Sequence, residues 1–197
     1  MSGPSFGGPG LSRLLDFDIE NRPLSYLGQD FTTPDVTAIA SCWDGDPSSM
    51  LVLNLSTNGK YWQRDATRML LGFKDRYDQA DVVTCHNPIR HDLPIINGAL
   101  IELGLEPLGS KLVSDTYGAL MKLKGPSKSQ ENLSDLFGLP EPKAHMNTPK
   151  WREANRMTVE GITLTRERVE ADVVQHMALR RELIQRGLLG PPKKWCP

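Results

Sequence analysis

The sequence predicts an α/β fold: one mixed, five-stranded sheet flanked by helices. Three observations predict it. Short β-rich runs crowd the first third of the chain, and strand and helix then alternate. Late in the chain, Val169, Val173, Met177, Ile184 and Leu188 recur at helical spacing. The 197 residues, 39% hydrophobic and 24% charged, suit a single domain with a core of its own.

Each element has a local reason. Residues 1–12 are rich in Gly, Ser and Pro and are expected to be a flexible leader to a domain at 13–188, with a tail at 189–197. Leu14 to Ile19 alternates as a strand, ended by Glu20, Asn21 and Pro23. Asp35 to Trp43 is the second strand and breaks at the turn sequence Asp44-Gly45-Asp46-Pro47; Met50 to Leu55 returns as its hairpin partner. Ser56 to Gly59 leads into a helix from about Lys60 to Tyr77. Val82 to Cys85 is a compact strand that stops at His86-Asn87-Pro88. A helix from Asp92 to Leu103 follows, with Pro94 tolerated in its first turn. Leu112 to Asp115 is the fifth strand, followed by a helical turn to about Lys124. Leu133 to Leu139 reads as a short helix with Gly138 as its stop, and loops or short helices run to Thr163. Thr165 is expected to cap the last helix, which runs to about Arg186 before Gly187 and Gly190.

Composition excludes several classes. No apolar run approaches the roughly 18–20 residues that cross a bilayer, and no membrane partner is expected. The first residues lack the apolar stretch of a signal peptide. Cys42, Cys85 and Cys196 are odd in number and widely spaced, against a disulfide framework and for a reducing cytoplasm. The net charge of −1 is uneven: from Lys143 onward there are 11 Lys+Arg against 6 Asp+Glu, and before it 12 against 18. An acidic part that concentrates cations and a basic part that meets phosphates can serve one site.

The chemistry-bearing pattern begins in the first strand. Side chains two apart on a strand share a face, so Asp16, Asp18 and Glu20 form one acidic row opposite Leu15, Phe17 and Ile19. Close carboxylates repel unless a cation sits among them; an edge strand with a solvated face gives the same pattern. Carboxylate oxygens are the hard ligands that Mg²⁺ and Mn²⁺ prefer.

The run Phe17-Asp18-Ile19-Glu20 resembles the first motif of the DnaQ-like 3′–5′ exonucleases, the DEDD group of the ribonuclease-H-like superfamily. Val82 to Leu100 resembles the second motif, and Arg166 to Leu183 the third. The resemblance covers roughly residues 13–187, in order. It implies a ribonuclease-H-like fold and a metal-dependent exonuclease acting on single-stranded or frayed DNA, with RNA a second substrate class. It implies two Mg²⁺ or Mn²⁺ ions held by Asp18, Glu20, Asp92 and Asp172, with Asn87 supporting the site. Asn21, Leu93 and Ile96 become candidates to seat the terminal nucleotide, and Asp115-Thr116 a weaker site pair. The resemblance allows either a stand-alone trimming enzyme or one that takes its specificity from a polymerase or another replication or repair partner.

Family members carry a general base as Tyr four residues, or His five residues, before the third-motif Asp. Those positions hold Arg168 and Glu167. Three readings follow. A metal-bound hydroxide attacks unaided, or Glu167 helps orient it; His176, one turn beyond Asp172, is the base; or the domain is a weak or inactive module that binds nucleic acid or a partner. An endonuclease of the same superfamily is a further alternative. Cys85, His86 and His91 lack the spacing of a closed zinc site. Lys143, His145, Lys150, Trp151, Arg152 and Arg156 interleave basic and aromatic residues as a substrate path, with Arg168 beside it.

Overall fold

The computed structural model describes residues 13–25, 32–56, 61–140 and 146–197. The expected leader, Lys60, Lys143 and His145 lie outside the described residues. The described chain forms one six-stranded mixed sheet with helices on both faces, in the order β3-β2-β1-β4-β5-β6.

Strands β1 (Leu14–Ser25), β2 (Thr32–Trp43) and β3 (Asp46–Asn54) form an antiparallel meander, with Asp44-Gly45 as the two-residue turn between the last two. β1 is longer than its local signals suggest. Only Leu14 to Asp16 pair with β4 (Val82–Cys85), so the rest of β1 has an open edge on that side. Pro23 is tolerated there, opposite Pro34, since neither ring has an N–H to leave unpaired. A register shift between Glu20 and Asn21 absorbs the break that the sequence signalled as a strand end.

β4 and β5 (Lys111–Asp115) lie parallel to β1, with α1 (Trp62–Gln79) leading into β4 and α2 (Asp92–Glu102) linking β4 to β5. Leu15, Phe17 and Ile19 face α1 and α2 and meet Met69, Phe73, Tyr77, Leu93, Ile96 and Leu100 in the main core. Phe17 and Phe73 lie tilted, 5.1 Å apart between ring centres.

The opposite sheet face is narrower. Ala38, Ala40 and Cys42 on β2 meet Val169, Val173 and Met177 of α6 (Val159–Gln185). Small alanines let α6 approach the strand that carries the acidic row. Its first turn also crosses α5 (Thr148–Arg156) closely: a Cβ on Gly161 would stand 2.0 Å from the Glu153 carbonyl oxygen. Arg22 on β1 holds α5 in place, pairing with Asp35 and donating to the Asn155 carbonyl oxygen.

Three departures from the sequence reading have local causes. α6 begins seven residues early, capped by Thr158, whose Oγ1 accepts from the Gly161 N–H. Thr165, the expected cap, lies inside the helix and donates back to the Gly161 carbonyl oxygen. The turn after β5 yields only α3 (Thr116–Ala119), capped by Asp115, and stops short of Lys124. The segment expected as a tail contributes β6 (Lys193–Trp195), antiparallel to β5, with Trp195 closing the main core. By contrast, α4 (Gln130–Phe137) ends where Gly138 predicts, in a left-handed residue at φ 64°. Among the described residues, no helix is long and apolar enough to cross a membrane.

Candidate functional site

The acidic row faces α6, but its three members meet different partners. Asp16 is fully buried. Arg180 grips it twice, Nε to Oδ1 at 3.1 Å and an Nη2 to Oδ2 at 3.0 Å, and His176 Nδ1 lies 3.0 Å from Oδ1. Arg180 also reaches Asp44 at 2.7 Å, tying the helix to the β2–β3 turn. Asp16 is therefore a structural anion with a matched cation.

Asp18 and Glu20 lie further along the strand, beyond the reach of Arg180. β1, the end of β4, the start of α2 and the middle of α6 converge on them. One potential ligand atom from each of Asp18, Glu20 and Asp172 lies within 4.8 Å of the others, and the same holds for Asp18, Cys85 and Asp92. The two clusters share Asp18. Each could coordinate a divalent ion.

Local structure delivers each residue. The turn after β4 is tight: Asn87 adopts φ 75°, its N–H donates to Asp115 Oδ1, and its carbonyl oxygen accepts from His91 N–H. That reversal places Asp92 in the first turn of α2, where a carboxylate suits the helix dipole. Asp115 also accepts from the Gly118 N–H, so it serves as a cap that braces the turn. His86 is clasped between Thr116 Oγ1 and the Lys128 carbonyl oxygen, and burial pushes its pKa down to about 4. It is a neutral wall of the site.

The electrostatics are those of crowded anions. Burial, and then the charges of Asp92, Asp172 and Glu20, push the Asp18 carboxyl well above its usual range. Burial and the Asp172 charge raise Glu20 to about 7, against the opposing pull of Arg168. Burial also raises the Cys85 thiol, which donates to Asp18 Oδ1 at 3.5 Å. Cys85 thus orients Asp18 as a protonated donor. Asp92 Oδ2 is buried and accepts no hydrogen bond among the described residues, with His91 Nδ1 3.7 Å away.

Arg168 stands at the mouth. Its Nε lies 2.6 Å from Asp172 Oδ2 and 3.6 Å from Glu20 Oε1. A cleft of about 210 Å³ opens here between Asp18, Asp172 and Arg168 on one side and His86 and Gln130 on the other. Gln130 fastens α4 to α6, donating to the Asp172 carbonyl oxygen at 2.9 Å and to Gln175 Oε1 at 3.2 Å.

Several sequence expectations need correction. His176 does not face the cleft: it is 1% exposed and engaged with Asp16, because one helical turn beyond Asp172 runs back along β1 to Asp16. Glu167 is exposed; five residues before Asp172 it points about 140° around the helix, whereas Arg168 lies only about 40° off. Leu93 and Ile96 are fully buried in the main core, closed to a nucleotide. Asn21 is half-buried just past the β1 register shift, and Arg152 lies on α5 outside the carboxylate cluster. There it lines a separate groove of about 340 Å³ with Lys150 and Arg156.

Sequence reading missed Arg180, Gln130 and the part played by Cys85. Arg180 carried a signal, since it follows Asp172 and His176 at four-residue steps on the same helix stripe.

No protein-family model matches the sequence, and no curated protein matches it. Among solved structures, the chain is similar to the family B DNA polymerase from the hyperthermophilic archaeon Pyrobaculum calidifontis. The TM-score is 0.70 at 20% identity, over 93% of this chain and 26% of that one. The chain thus spans about a quarter of the length of that polymerase, and at this identity the likeness is one of fold. With the sheet order and the α6 crossing, it makes this an α/β fold of the ribonuclease-H-like, DnaQ-like type.

Proposed function

We propose that the chain is a metal-dependent 3′–5′ exonuclease that hydrolyses single-stranded or frayed DNA, with RNA a second substrate. The observation that carries this reading is the pair of ligand clusters sharing Asp18. The residues fit Mg²⁺ or Mn²⁺. Their donors are carboxylate oxygens, the one sulfur is a protonated thiol, and Asp92 keeps a buried oxygen without a hydrogen bond among the described residues.

In this reading Asp18, Glu20 and Asp172 would hold one divalent ion, and Asp18 with Asp92 would hold another. Bound ions would supply water activation and charge neutralisation at the scissile phosphate. The chain itself binds and orients. Cys85 and the Asn87 turn fix Asp18 and Asp92, and Gln130 fixes the α6 backbone at Asp172. Lys150, Arg152 and Arg156 give the α5 groove a positive lining suited to the phosphates of the incoming strand. The similarity to a DNA polymerase supports DNA as substrate and a replication or repair protein as partner.

A second reading, a binding module without turnover, is favoured by Arg168 at the family's Tyr position and in contact with Asp172. Incubating the chain and Mg²⁺ or Mn²⁺ with 5′-labelled single-stranded DNA or RNA separates the readings. Shortening by single nucleotides supports the exonuclease. Retention without shortening supports the module, and internal cuts support an endonuclease.

A further inference from the structure

The two ligand clusters are not equivalent in charge. The Asp18–Glu20–Asp172 cluster has a guanidinium in contact with two of its three members: Arg168 Nε is 2.6 Å from Asp172 Oδ2 and 3.6 Å from Glu20 Oε1. The Asp18–Cys85–Asp92 cluster has no Arg or Lys in an ion pair with Asp18 or Asp92 among the described residues; its near neighbours are the Cys85 thiol and His91 at 3.7 Å. Arg168 is only one-fifth exposed, and it is held at the cleft wall by a four-residue helix spacing. A planar guanidinium is a good stand-in for a divalent ion between two carboxylates, since it offers positive charge and several donors at once.

We infer that Arg168 is a resident counter-cation of the Asp18–Glu20–Asp172 seat, which a divalent ion must displace from Asp172 before it can enter there. The inference rests on the metal-site reading above and deepens it. Two seats sharing Asp18 then fill in two unequal steps. The Asp18–Asp92 seat fills first. The seat guarded by Arg168 fills second and more weakly, because ion entry breaks the Arg168 pair and leaves the guanidinium beside the new charge. The residue that stands where family members keep a Tyr therefore sets the divalent concentration at which the site is complete. Its role is positioning and regulatory.

Titration of the full chain with Mn²⁺ alone, followed by the electron-paramagnetic signal of free Mn²⁺, tests this without any turnover. Wild type should bind in two steps. Arg168→Gln should tighten the second step by about tenfold or more, as removal of a like charge within a few ångströms implies. Arg168→Lys, which keeps the charge, should leave the second step weak. An Arg168→Gln variant whose second step is unchanged or weaker overturns the inference, provided Asp18→Asn loses Mn²⁺ binding. If Asp18→Asn binds Mn²⁺ as wild type does, the metal-site reading itself fails and the inference with it. A measurement on the wild-type chain needs no variant: the Arg168 Nε resonance in ¹⁵N spectra should move with the second step of a Mg²⁺ titration. A resonance that keeps its metal-free position at saturation overturns the inference.

Discussion

Asp16 and Asp18 sit two residues apart on one face of β1, and their partners give them opposite roles. Asp16 is paired with Arg180 and in hydrogen-bond contact with His176, so its removal is a stability event. Asp16→Asn leaves the buried side of the Arg180 guanidinium against a neutral amide, with Asp44 as its remaining carboxylate, and should cost about 2–3 kcal/mol. A denaturant melt of the metal-free protein reads this directly. Asp18 has no such cation among the described residues and belongs to both clusters. Asp18→Asn should leave the fold intact, abolish Mn²⁺ binding, and lower cleavage by more than the roughly 10–100-fold typical of an outer-shell change. The acidic row was legible in the sequence, since alternation alone puts three carboxylates on one face. Which of them would find a cation was not legible, because Arg180 lies 164 residues away and only packing brings it there.

Among the elements, local signals placed what local residues determine. Val82 to Cys85 and the Asp92 helix start carry their own punctuation and were legible at their ends. Lys193–Trp195 was not, because three residues become a strand only by pairing with β5. The start of α6 turned on two threonines of similar promise. Thr158 won because α5 packs against the turn that follows it, and Gly161 permits that contact. Thr158→Ala should therefore lower stability by about 1 kcal/mol, the usual cost of losing an N-cap. Gly161→Ala should cost more than Thr158→Ala despite alanine's better helix propensity, since its Cβ would meet the Glu153 backbone. Thermal melts of the two variants and wild type check both the size and the order.

For the whole molecule, the proposed metal site links pH to metal binding. Glu20 has a folded pKa of about 7 against an ordinary value of 4.5. Between those values the folded chain holds a proton that the unfolded chain has lost, so Glu20 costs the metal-free protein stability as pH rises through that window. His86 works in the opposite sense: with its pKa near 4 instead of 6.5, its contribution is present above 6.5 and lost as pH falls toward 4. The difference between melts with Mn²⁺ and with a chelator cancels His86 and leaves the carboxylates and His91, whose pKa its contact with Asp92 raises. That Mn²⁺-induced gain in Tm should grow from pH 5 to pH 8 and flatten in Glu20→Gln. A gain independent of pH would contradict the buried, crowded state of Glu20. The uneven charge along the sequence finds its place at this scale: the acidic part supplies Asp18, Glu20 and Asp92, and the basic part lines the α5 groove with Lys150, Arg152 and Arg156.

The most direct test of the central claim is a time course on 5′-labelled single-stranded DNA in Mn²⁺, with wild type and Asp18→Asn run side by side. The account predicts a ladder of products shortened by one nucleotide at a time from the 3′ end with wild type, and intact substrate with the variant. Internal cuts by wild type, an identical ladder from Asp18→Asn, or intact substrate with both proteins would contradict it.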